Sequence, residues 1–82
     1  MDYDAQLQDF FKQVQATGDM RARSQLFKMW KNCVNLRTEM DKEMVECRRR
    51  KKVTQKYKDL EAELQERIAN FEQWITFSKL LY

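Results

Sequence analysis

Tyr3, Leu7, Phe10, Phe11 and Val14 fall at i, i+4, i+7, i+8 and i+11. That spacing lays an apolar stripe along one side of a 3.6-residue helix. Asp2 and Asp4 sit at its start, where a cap or the helix dipole favours negative charge. The stripe ends in Ala16-Thr17-Gly18-Asp19. Gly18 is the only glycine and fits the left-handed position that closes helices. Asp19 is suited to capping the next helix. The pattern predicts an amphipathic helix over 1–17 and a tight turn at 18–19.

From Met20 onward no residue type stops a helix, and the chain has no proline. Leu26, Trp30, Cys33, Met40, Met44 and Cys47 form a heptad seam, with Arg37 in the skipped slot. A second seam runs through Tyr57, Leu64, Ile68, Phe71 and Ile75. The two seams are out of register by three residues, a slip that overwinds a coiled coil locally. The slip falls where Arg50, Lys51 and Thr54 occupy the would-be core positions. That segment cannot be a dry seam. It is a solvated spacer, a hinge or a docking face. The expectation is one long coiled-coil-type helix over 20–82 with a bend or register slip near 48–56.

Both ends of this long helix carry apolar groups off the seam. Phe27, Met29 and Val34 flank the first seam. Leu60, Trp74, Phe77, Leu80, Leu81 and Tyr82 flank the second. Faces this broad call for a third helix. The N-terminal helix supplies one for the first seam. The second has no partner in the chain unless the long helix folds back, so its apolar finish points to a partner or a longer parent chain.

Composition narrows the fold class. Eighty-two residues make one domain at most, with a thin core. A sheet protein of this size needs clusters of Gly, Pro, Asn and Asp for its turns, and these are missing. The fold class expected is all-α: a helical hairpin or extended bundle. No apolar run reaches the roughly 18–20 residues of a membrane span. The N-terminal stretch has no secretory pattern. Two cysteines without a signal suit a reducing compartment, so the expected address is intracellular, cytoplasmic or nuclear.

The net charge of +3 conceals alternating blocks. Residues 20–38 carry five Lys or Arg and no acid, whereas 1–19, 39–46 and 59–82 are each net acidic. Cys47 to Lys58, "CRRRKKVTQKYK", carries seven cations and no acid. Blocks of alternating sign suit helices that pack side by side or meet charged partners. A bZIP-like basic region is a continuous helix of this kind, but such regions carry a specific Asn, and there is none between 36 and 69. "RRRKK" also passes as a nuclear-import signal. Protein docking through Arg48, Arg49, Arg50, Lys51 and Lys52 is the preferred reading. Binding of nucleic acid through 47–58 is the alternative, and an anionic membrane surface is a third.

No residues point to catalysis. There is no His, the commonest general base and metal ligand. One Gly cannot build a phosphate-cradling loop. Cys33 and Cys47 stand fourteen residues apart on one seam, whereas a zinc site needs close Cys/His pairs. They read as small buried apolar residues rather than a redox link. No enzyme activity, cofactor or metal is expected. Residues 20–38 form a basic amphipathic segment anchored by Phe27 and Trp30, of the kind calmodulin-type grooves bind. Phe27-x-x-Trp30-Lys31 resembles the tail of a centrin-binding repeat, without the paired leucines upstream. The resemblance implies a calcium-sensor target helix, kept as a further alternative.

The function expected is a non-catalytic helical scaffold or assembly subunit. Its partner is helical with an acidic face, or a second copy. The expected contact residues are Leu26, Phe27, Trp30, Leu64, Ile68, Phe71, Trp74 and Ile75, with the cations Arg48 to Lys52.

Overall fold

The computed structural model describes residues 2–81, with side chains through residue 77. They form three helices: α1 (Tyr3–Ala16), α2 (Met20–Arg50) and α3 (Gln55–Leu81). There is no strand among the described residues, and the all-α expectation holds. The expected apolar finish at Leu80, Leu81 and Tyr82 lies outside the residues whose side chains are described.

α1 starts as its sequence requires. Asp2 caps it, accepting the Ala5 N–H at 3.1 Å, and Asp4 lies in the first turn. Its end differs from the expectation. The closing residue is Thr17, in an extended conformation (φ −74°, ψ 121°), and Gly18 has no positive φ. The Thr17 hydroxyl donates to the Gln13 carbonyl at 2.9 Å, and its N–H donates to Val14. These bonds close the helix without a left-handed residue. Asp19 then caps α2 as expected, accepting the Ala22 N–H at 2.8 Å.

The second correction is larger. The chain does not run on as one helix over 20–82. α2 stops at Arg50, and Lys51 takes the left-handed conformation (φ 57°, ψ 35°). The Lys51 N–H donates to the Arg48 carbonyl and the Lys52 N–H to that of Cys47, at 3.2 and 3.1 Å. This is the 5→2 and 6→1 pattern of a Schellman closure. Thr54 then opens α3: its Oγ1 accepts the Tyr57 N–H at 3.2 Å. The same hydroxyl donates to Glu43 Oε1 at 2.9 Å, tying the start of α3 back onto α2. This segment is where the chain reverses direction.

The turn sends α3 back along α2, and Gln25, Met29 and Asn32 line one groove with Phe77, Trp74 and Asn70. Each seam therefore finds the other within the same chain. Leu26, Cys33, Met40, Leu64 and Phe71 are all but completely buried. Burying a Leu or Phe side chain is worth about 1.5–3 kcal/mol. A non-Gly residue in the left-handed region costs only about 1–2 kcal/mol. Burial of several such side chains outweighs the break.

α1 lies antiparallel to α2 over one side of this hairpin. Tyr3, Leu7, Phe10 and Val14 are buried, and the Phe10 ring stacks on Phe71 of α3 at 4.3 Å. Gln65 of α3 donates to the Tyr3 hydroxyl at 3.0 Å. Arg37 of α2 lies 3.2 Å from Asp4 of α1 and 2.6 Å from Asp41. The result is a three-helix bundle measuring 49 × 19 × 17 Å. The fold-back sets the basic block 20–38 beside the acidic block 59–82. Among the described residues, however, the one ion pair joining α2 to α3 is Lys56–Glu43, at 3.9 Å.

These two caps predict opposite responses to glycine chemistry. A Cβ at Gly18 meets nothing within 4 Å, and its φ suits any residue. Gly18→Ala is expected to stabilise by about 0.4–1 kcal/mol through the unfolded chain. Lys51→Gly is expected to stabilise by up to about 1 kcal/mol by relieving the left-handed backbone. Urea midpoints of the two variants check both signs. A midpoint that falls for Gly18→Ala contradicts the cap geometry.

Candidate interaction surfaces

The residues named from the sequence divide into two sets. Leu26, Leu64, Ile68, Phe71 and Ile75 are buried in the core of the chain itself. They hold the bundle together and present nothing to a partner in this fold. Phe27, Trp30, Trp74 and the cations Arg48 to Lys52 remain at least partly at the surface. They lie on three separate surfaces.

The first is the hairpin tip. The basic stretch straddles the α2–α3 turn and is not a continuous helix, so a bZIP-like basic region is not formed. Arg49 and Arg50 are both bonded to Glu46. These bonds, that from Arg49 first, hold the Glu46 carboxyl at about 2, well below the usual carboxylate range. Glu46 therefore stays ionised at any physiological pH and keeps two of the seven cations engaged. Lys56 reaches Glu43. Arg48, Lys51, Lys52 and Lys58 have no ion-pair partner among the described residues. Three basic side chains in the last turn of α2 also suit the negative end of its dipole. The tip carries exposed apolar groups as well, since Val45 and Val53 are 67% and 55% exposed. Tyr57, the one aromatic of the stretch, is half-buried against the bundle. Burial first, and then the charge of Glu61, pushes its hydroxyl upward from the usual tyrosine range.

Behind the tip lies a small polar cluster that sequence reasoning missed. Thr54 is buried, and its hydroxyl sits 3.6 Å from the Cys47 sulfur as well as on Glu43. Thr54 was visible only as a polar residue in a core slot. Its capping role required knowing that the helix restarts there. Cys33 and Cys47 are both free and buried. Burial pushes the Cys33 thiol up, and the Arg67 charge offsets part of that shift.

The second surface is aromatic and belongs to α1 and α2. Trp30 packs on Phe11 at 4.7 Å and on Phe27 at 5.6 Å. Its indole N–H donates to the Leu7 carbonyl at 2.9 Å. Trp30 is thus engaged within the bundle, and Phe27 is left 46% exposed at its edge.

The third surface is the open side of the α2–α3 hairpin, opposite α1. A groove of about 540 Å³ runs there between Met29 and Asn32 of α2 and Asn70, Trp74 and Phe77 of α3. Leu36, Glu39, Glu63 and Arg67 continue it toward the tip. Met29, Trp74 and Phe77 stood out in the sequence as apolar groups off the seams. The asparagines between them carried no signal.

No protein-family model, curated protein or solved structure matches the chain. Among the described residues, no helix is long and apolar enough to cross a membrane. No group of three His, Cys, Asp or Glu among them lies close enough together to hold a metal ion.

Proposed function

We propose that the chain is a non-catalytic assembly subunit whose hairpin tip docks an acidic protein surface. The observation that carries this reading is the composition of the tip. Arg48, Lys51, Lys52 and Lys58 have no ion-pair partner among the described residues, and the same turn exposes Val53. Cations on one turn with a small exposed apolar group suit a protein interface, where charge steers and an apolar contact is dried. Recognition of single-stranded nucleic acid favours exposed aromatic platforms, and duplex reading by a helix needs an element that enters the groove. The tip offers a turn, with its one aromatic turned inward. The intracellular address and the absence of catalysis remain part of this proposal.

Engagement of Trp30 by Leu7 and Phe11 weighs against a calcium-sensor target helix, because a sensor would have to detach α1 first. The basic tip keeps nucleic acid as the competing reading, and one variant decides between them. Replacing Arg48, Lys52 and Lys58 with Gln leaves every ion pair of the tip intact. Helix content is expected to be unchanged, and stability to fall by no more than the dipole contribution of Arg48, at most about 1 kcal/mol. Binding of the wild-type chain to a short DNA or RNA duplex is expected to stay weak at physiological salt. Tight duplex binding, with a salt slope near −0.9 per phosphate neutralised and lost in this variant, overturns the proposal.

A further inference from the structure

The outer side of the α1–α2 pair carries an apolar floor. Phe11 of α1 and Phe27, Trp30 and Val34 of α2 form it, in two grooves that share Phe11 and Gln15. The grooves measure about 560 and 590 Å³, and no residue of α3 lines either. All four side chains stay partly exposed, Phe27 the most. The polar groups set into the floor are already bonded. The Trp30 indole N–H donates to the Leu7 carbonyl at 2.9 Å, and the Thr38 hydroxyl donates to the Val34 carbonyl at 3.0 Å. A partner that covers the floor therefore strands neither donor.

The charges along the grooves have a sign and a direction. Asp4, Arg37 and Asp41 lie at one end, where Arg37 engages both carboxylates at 3.2 and 2.6 Å. Lys12, Arg23 and Lys28 lie toward the α1–α2 turn and have no ion-pair partner among the described residues. Arg23 donates to the Thr17 and Gln15 carbonyls. Those bonds fix its cation at the rim without neutralising it. The charges left unpaired in the grooves are thus all positive, and α2 supplies no acid between residues 20 and 38 to balance them.

We infer that these grooves dock an amphipathic helix of a partner protein, apolar on the side it buries and acidic along its flank near the α1–α2 turn. Charge complementarity sets the acidic flank. The walls set the helical form. Both are helices whose backbone groups are bonded internally, so an extended segment on this floor finds no edge to pair with. Buried backbone N–H and C=O groups need partners, and a helix brings its own. On α2 the lining runs from Arg23 to Asp41. That is about 27 Å at 1.5 Å per residue, the length of a helix of about 18 residues. The docked helix lies over Trp30 and leaves α1 in place, the helix-in-groove mode. An anionic membrane fits less well, because the floor is recessed between two helices and a bilayer meets protruding groups. The surface is separate from the tip, so either docking site stands without the other.

Displayed random peptides of about 18 residues, selected on the full chain, test the inference. The chain used carries Gln at Arg48, Lys52 and Lys58, so that acidic peptides are not captured at the tip. Selected peptides are expected to place Leu, Ile, Phe or Trp at i, i+3, i+4 and i+7 and to carry an excess of Asp and Glu. Bound peptide is expected to shift the amide resonances of Phe11, Arg23, Phe27 and Lys28 most. Reversing two exposed cations together, Lys12→Glu and Lys28→Glu, is expected to weaken binding at least tenfold, about 1.4 kcal/mol, with helix content unchanged. Changing the peptide's acids to Lys is expected to restore binding to that variant. The inference is overturned if no peptide is enriched, if the enriched set has no acidic excess, if the shifts map to the α2–α3 groove, or if the double reversal leaves affinity unchanged. Binding to vesicles of phosphatidylcholine and phosphatidylserine, with no peptide selected, assigns the face to a membrane instead.

Discussion

Replacing Phe71 with alanine is expected to cost about 3–5 kcal/mol. Phe71 has no exposed surface and stacks on Phe10 from α1. It belongs to the buried cluster to which all three helices contribute, with Leu26 and Cys33 among the members from α2. The space left cannot be filled by neighbours held on rigid helices, so a cavity penalty adds to the lost burial. A domain of this size has a total stability of about 4–12 kcal/mol by the usual 0.05–0.15 kcal/mol per residue. The loss is therefore comparable to the whole. Thermal melting by circular dichroism is expected to show a transition lowered by well over ten degrees, or none. Phe71→Leu, which keeps most of the volume, is expected to retain the cooperative melt. Phe71→Ala melting within a few degrees of wild type contradicts burial of Phe71 between the helices.

Trp30→Ala is expected to cost about 3 kcal/mol and to release α1. The indole contributes stacking on Phe11 and a 2.9 Å bond to the Leu7 carbonyl. The links of α1 to the hairpin that remain include the Phe10–Phe71 stack, the buried Leu7 and Val14, the Tyr3–Gln65 and Gln6–Glu72 bonds, the Arg23 bond to the Gln15 carbonyl and the Asp4–Arg37 pair. Surface pairs of that kind are worth at most about 1 kcal/mol. Amide hydrogen exchange should therefore speed up first in residues 3–16, ahead of α2 and α3. Trp30→Phe keeps the packing, loses the bond, and is expected to cost about 1 kcal/mol. If Trp30→Ala leaves exchange in α1 unchanged, the indole is not what holds that helix.

The two turns show what a sequence can and cannot say about this fold. The α1 stripe and both caps at Asp2 and Asp19 were legible, because Asp at an N-cap has a direct chemical reason to be there. Gly18 was misread for the same kind of reason. It is the residue that best tolerates a left-handed backbone, yet Thr17 closes α1 without needing one. The left-handed residue is Lys51, which composition does not mark at all. Its conformation is imposed from a distance, by two seams that bury more surface against each other than either does alone. The three-residue slip between the seams was visible. That it meant a reversal rather than a bend depended on long-range burial that local pattern does not contain. Among the surface residues, the tip cations and Trp74 were legible as unusual groups. Asn32 and Asn70 come together in one groove only because α3 lies beside α2.

The fold-back itself is tested most directly by a distance. Spin labels at Gln25 and Gln73, which line one groove, report it by pulsed dipolar spectroscopy. Diluting the labelled chain with unlabelled chain removes contributions between copies. A hairpin with helix axes about 8–10 Å apart places the labels within roughly 20–25 Å. An unbroken helix over the same residues would separate them by about 72 Å at 1.5 Å per residue. A short distance that survives dilution is the predicted result. A distance near the longer value, or a short one that disappears on dilution, contradicts the reversal at Lys51 to Thr54.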